Sequence, residues 1–113
     1  MNPEERLSAL LEKRPGAKLV RMFGGYGYLL NGHMCCGLFK AELIIRVGTD
    51  KLEELFKSYP DLRVMDITGR PMKGWGMIRT SSLKPDDFTQ LVRACEVFAQ
   101  SLPPKYKSSQ SSS

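Results

Sequence analysis

Asn31-Gly32, set between two runs of aromatic and apolar residues, is the feature that most constrains this chain. Both residues tolerate the positive φ of a type I′ turn, and a two-residue turn of that hand folds a strand straight back on its neighbour. Tyr26 to Leu30 and His33 to Phe39 are therefore read as the arms of a β-hairpin. Lys40-Ala41-Glu42 marks a second tight turn, and Leu43 to Val47 follows as a strand with β-branched residues on both faces. Arg21 to Val47 thus holds three consecutive antiparallel strands, on which the rest of the chain must pack.

The flanking segments supply helices. Asn2 is placed to cap, Pro3 suits a first helical position, and Glu5 can reach back to the cap's amide. Leu7, Leu10 and Leu11 share one face, Arg14 sits beside the closing carbonyls, and Pro15-Gly16 stops the helix. Lys18 to Phe23 reads as an extended lead-in. Gly24, Gly25 and Gly27 then suggest a bulge or a close backbone approach, since neither phosphate-loop fingerprint is present.

A second helix is expected after Gly48, with Asp50 and Glu53 as a capping box and Leu52, Leu55, Phe56 and Tyr59 as its buried face, ending at Pro60. Leu62 to Thr68 and Trp75 to Thr80 read as a second hairpin around Thr68-Gly69-Arg70-Pro71. A third helix begins near Pro85 and carries the strongest period, with Phe88, Leu91, Val92, Cys95, Phe98, Ala99 and Leu102 recurring at three and four. Pro103-Pro104 stops it. The order is α-β-β-β-α-β-β-α, an α+β fold with a curved antiparallel sheet packed on helices. Residues 1–104 are expected to form a single domain, and the serine-rich residues 105–113, with little to bury, a disordered tail.

At 113 residues the length suits one core, and 42% hydrophobic with 26% charged residues excludes wholesale disorder. No apolar run approaches the roughly 20 residues of a membrane span, and MNPEER lacks a signal peptide's apolar core, so a cytoplasmic protein without membrane contact is expected. Three cysteines, two of them adjacent, do not make a disulfide framework. The net charge of +5 permits polyanion binding without demanding it.

Set side by side, Met22-Phe23-Gly24-Gly25 with Gly27, the Asn31-Gly32 hairpin, Leu43 to Val47, and Thr68-Gly69-Arg70-Pro71-Met72-Lys73-Gly74-Trp75 give the chain a likeness from about Leu7 to Leu102. Over that span it resembles the N-terminal domain of the TfoX/Sxy-type competence regulators. The resemblance implies an α+β domain similar to the secretion-chaperone-like and YgaC-like proteins. It also implies a non-enzymatic role in transcription regulation alongside a DNA-bound partner, and it supplies no catalytic residues. The second domain of the longer members has no counterpart in this length.

The residues themselves offer little chemistry. In a regular strand His33 and Cys35 share one face and Cys36 takes the other, so a zinc shell would need Cys95 and a carboxylate from elsewhere. Two small buried hydrophobes beside a turn histidine is the simpler reading. No carboxylate pair, Walker loop or nucleophile elbow is present, and neither catalysis nor a cofactor or metal is expected.

The informative set is cationic. Arg21, Arg46, Arg70, Lys73 and Arg79 belong to the sheet or its turns, and Arg46 on a mostly apolar strand either snorkels to solvent or pairs with Asp66 across the sheet. Arg70 and Lys73 beside Trp75, with Arg46 and Arg21, form the candidate patch for a protein partner or an anion. Trp75 itself reads first as a core anchor of the second hairpin. A protein-interaction module, with a transcription factor as candidate partner, is the leading expectation, and a nucleic-acid- or anion-binding module the alternative. Homodimerisation through an open sheet edge is compatible with both.

Overall fold

The computed structural model describes residues 2–22, 24–66 and 69–103, Met22 by its backbone alone. Phe23 of the glycine motif, Thr68 of the second turn and the serine-rich tail lie outside the described residues. Helix α1 (Pro3–Leu11) starts with the expected reciprocal cap. The Glu5 amide donates to Asn2 Oδ1 at 2.7 Å, and the Asn2 amide to Glu5 Oε1 at 3.1 Å. Leu7 and Leu11 on its inner face are fully buried.

Strands β1 (Ala17–Met22) and β2 (Gly25–Leu30) form a complete antiparallel pair from Ala17 opposite Leu30 to Met22 opposite Gly25. The segment read as a lead-in is therefore an edge strand. Asn31 and Gly32, at φ 53° and 86°, make the anticipated turn into β3 (His33–Phe39). Lys40 and Ala41, at φ 49° and 64°, make a second left-handed turn into β4 (Glu42–Arg46). Glycine serves close approach here: a Cβ on Gly27 would lie 2.7 Å from the Cys36 carbonyl oxygen and 2.9 Å from the Met34 methyl.

The bulge lies elsewhere than at the glycines. Tyr28 opposes Cys36 and Leu29 opposes Met34, so Cys35 is the extra residue on β3. Alternation is broken at that point. Cys35 and Cys36 consequently both enter the same core cluster instead of facing opposite sides of the sheet.

Helix α2 (Thr49–Ser58) is capped by Gly48 at φ 86° and not by the Asp50–Glu53 box, because the helix begins one residue before Asp50. Its anchor is Leu52, which sits over a glycine: a Cβ on Gly76 would lie 2.8 Å from Leu52 Cδ1. Of the four residues assigned to its buried face only Leu52 is fully covered, while Leu55, Phe56 and Tyr59 are half-buried. The strand expected from Leu62 to Thr68 shrinks to β5 (Arg63–Val64). Leu62 and Met65 are drawn into separate clusters on the two sides of the sheet, so the run cannot continue flat. Strand β6 (Trp75–Arg79) inserts between β4 and β5, giving the order β1-β2-β3-β4-β6-β5 with every pair antiparallel.

Helix α3 (Pro85–Ser101) follows a short 3₁₀ turn at Thr80–Ser82. Phe88, Leu91, Val92, Cys95 and Ala99 are at most 3% exposed, as the period required. Burial of each larger side chain contributes about 1.5–3 kcal/mol, which is what holds α3 across β3 and β4. Helices α1 and α3 share this main core with the sheet. On the opposite face a smaller cluster of Ile44, Met65 and Met77 is closed over by Phe39, Met72 and Trp75. Among the described residues no helix is long and apolar enough to cross a membrane.

Candidate partner-docking groove

Tyr59, just past the end of α2, ties that helix to the start of α3 by donating its phenolic hydrogen to Asp87 Oδ1 at 3.2 Å. Burial, then the Asp87 carboxylate, raises the Tyr59 pKa. Away from this tie the helices leave a groove of about 550 Å³. Leu55 of α2, Val47 at the end of β4, and Leu91, Ala94 and Phe98 of α3 line it. Val97 stands on its rim with 69% of its surface exposed. The arrangement follows from α2's placement: Leu52 seats that helix on Gly76, which leaves Leu55 and Tyr59 turned toward α3 without covering it.

The charged side chains lining the groove are Lys51 and Arg93. Lys51 pairs with Glu54 at 3.2 Å on the solvent side. Arg93 pairs with Glu96, whose second oxygen forms an ion pair with Arg14, 3.0 Å from its Nε. One carboxylate is thus shared by two guanidiniums. Glu96 is only 5% exposed although it borders the apolar stripe of α3, and the sequence reading passed over it. The available signal was Arg93 one turn earlier with Arg14 at the close of α1.

At the end of the groove Phe98 packs closely on Gly48, where a Cβ would come within 2.9 Å of its ring. The Arg46 guanidinium is 5.5 Å from the Phe98 ring centre and 5.3 Å from that of Trp75, its partner across the β4–β6 ladder. Arg46 therefore pairs with two aromatic faces, not with Asp66, and no carboxylate bridges it among the described residues. Burial lowers its pKa from the ordinary arginine value. Trp75 is half-buried, packing on the smaller cluster while carrying this cation.

The rest of the sequence-derived patch divides. Arg70 and Lys73 are exposed on the segment leading into β6, beside Trp75. Arg21 is on edge strand β1, beyond β2 and β3, and does not join them. Arg63, unremarked in the sequence, makes a two-pronged pair with Glu42, which raises its pKa. Arg79 is exposed opposite Glu42 on the same face.

The thiols of Cys35, Cys36 and Cys95 gather in the core where β3 meets α3. Hydrogen bonds with Cys35 and Cys95, followed by burial, push the Cys36 thiol well above its usual range. His33 turns away from them, its ring nitrogen bonded to the Pro103 carbonyl. Among the described residues no three histidine, cysteine or acidic side chains are arranged to hold a metal ion.

A family model described as the TfoX N-terminal domain matches residues 9–98. Neither a curated protein nor a solved structure matches the chain.

Proposed function

The chain belongs to the TfoX N-terminal domain family, and on that footing we propose that it is a non-enzymatic module of transcription regulation, working in the cytoplasm by binding another protein in the α2–α3 groove. The observation that carries the reading is Val97: a branched aliphatic residue 69% exposed beside Phe98, above a largely apolar groove. Apolar concavity rimmed by polar groups is the usual form of a protein contact. A photoreactive residue in place of Val97 tests it, with the same residue in place of Arg79 on the opposite face as control. Cross-links to a protein from position 97 and not from position 79 are expected. Equal labelling from both positions, or none from 97, defeats the reading.

The alternative, a nucleic-acid- or anion-binding module, is favoured by Arg46 lacking a carboxylate partner among the described residues while Arg70 and Lys73 stand exposed nearby. It ranks second because Arg21 lies on another edge and Arg63 is engaged by Glu42. Anisotropy titrations of duplex DNA and single-stranded RNA across a salt series, with Arg70→Glu and Lys73→Glu combined, decide it. Binding that falls steeply with salt and vanishes in the double variant would promote this reading above the first.

A further inference from the structure

Resting on the reading of the α2–α3 groove as a protein contact, we infer that its occupant is an acidic amphipathic helix of the partner. The groove joins an apolar floor, formed by Leu55, Leu91 and Phe98, to charged lining residues of one sign only, Lys51 and Arg93. Their internal partners offset that sign only in part. Lys51–Glu54 is an exposed pair between residues three apart, of the kind that exchanges readily with solvent. Arg93 shares Glu96 with Arg14, so that cluster keeps one positive charge in excess. The uncompensated Arg46 lies directly behind Phe98.

A helix with apolar residues at i, i+3, i+4 and i+7 fills a slot between two helices by the ridge-into-groove packing that builds bundles. Carboxylates flanking that stripe meet Lys51 and Arg93 at the margins. A second copy of this chain would bring the same two cations against themselves. Its own residues 104–113, PKYKSSQSSS, carry two lysines, no carboxylate and no aliphatic anchor. Charge complementarity therefore selects an acidic partner over either.

The test titrates the full chain into a fluorescent designed helix with leucine at i, i+3, i+4 and i+7 and glutamate on its flanks. The same helix with lysine for glutamate is the comparison. The acidic helix is expected to bind at least about tenfold more tightly, with the preference shrinking as salt rises. Lys51→Glu combined with Arg93→Gln should erase the preference, and Val97→Asp, at an exposed site, should weaken both helices while circular dichroism stays unchanged. Equal binding of the two helices, still sensitive to Val97→Asp, overturns the acidic partner but leaves the groove a protein contact. Binding indifferent to Val97→Asp overturns both. A dimer in sedimentation that Val97→Asp disperses, or competition by free PKYKSSQSSS, would replace the acidic helix with a second copy or with the chain's own end.

Discussion

Arg46 and Trp75 face each other across the β4–β6 ladder with the guanidinium 5.3 Å from the ring centre, and Phe98 meets the same cation at 5.5 Å from a different element. One side chain thereby joins the sheet to the end of α3. A half-buried cation held between two rings is worth about 0.5–2 kcal/mol per ring, so Arg46→Ala should cost roughly 1–4 kcal/mol. Arg46→Lys should recover only part of it, because an ammonium does not lie flat on an aromatic face. Trp75 is the chain's single tryptophan, so urea unfolding followed by its fluorescence measures these losses. A cycle with Phe98→Leu should show coupling above about 0.5 kcal/mol. Strict additivity would mean that the Phe98 contact contributes nothing.

The three thiols at the β3–α3 junction are fully buried, and the central one is held in its protonated form. Reactivity follows the thiolate and its access to solvent. At neutral pH dithionitrobenzoate should therefore label the native protein far more slowly than it labels an unfolded chain, and guanidinium should release all three cysteines at once. A thiol that reacts in the native state as fast as a free one would contradict this packing.

What was legible in the sequence was local. Asn31-Gly32 announces its turn through the φ values those two residues accept, and the repeat from Phe88 to Ala99 is long enough that only a helix satisfies it. Both stand in the structure. The bulge at Cys35 was not legible, because which residue is extra depends on the register between β2 and β3 and not on either strand alone. The same holds for Leu62 to Thr68, whose apolar residues read as one strand until Leu62 and Met65 are claimed by different faces. At the site, the sequence announced Arg46's need for solvent or a partner, and of the two answers it offered the Asp66 pair is absent from the structure. A ring on α3 answers it, and helix-to-sheet placement is not written in any short stretch. The groove was hidden for a related reason: Leu55, Tyr59 and Phe98 look like ordinary helix stripes, and only α2's seat on Gly76 leaves them partly uncovered.

The β3–β4 turn carries removable strain. Ala41 adopts φ 64° and Lys40 φ 49°, a left-handed pair that costs an ordinary side chain about 1–2 kcal/mol per residue. Asn31-Gly32 makes the same turn with suitable residues. Lys40→Asn with Ala41→Gly should stabilise the fold by about 1 kcal/mol, which calorimetry would register as a rise in Tm of several degrees. An unchanged or lowered Tm would show that the Lys40 side chain over the Phe39 ring outweighs the backbone term.

Tyr26 should govern stability in alkali. Burial, then the charge of Glu4, pushes its pKa up to about 12 from 10.0. The folded state thus favours the neutral phenol, so its contribution is whole below pH 10 and is lost as pH rises through about 12. Phenolate absorbance during an alkaline titration should show late ionisation by Tyr26 and Tyr59, of which Tyr26→Phe removes the latest part. A profile unaltered by that substitution would place the late-ionising tyrosine elsewhere.

Glu96 sits at the other extreme, a carboxylate 5% exposed that binds Arg14, three residues past α1, and Arg93 from its own helix. Arg14 was expected to close its own helix, and it closes the gap between helices instead. Glu96→Gln keeps the shape but leaves two guanidiniums facing an uncharged amide. Since both arginines are more than 40% exposed, water relieves part of that loss, and the cost should be about 1–3 kcal/mol. Glu54→Gln, which breaks the exposed pair with Lys51, should cost no more than about 0.5 kcal/mol. Denaturant unfolding of the two variants compares them directly, and equal costs would reduce Glu96 to another surface charge. In the Glu96→Gln background Arg14→Gln should then be nearly neutral, because what Arg14 contributes to joining α1 with α3 passes through that single carboxylate.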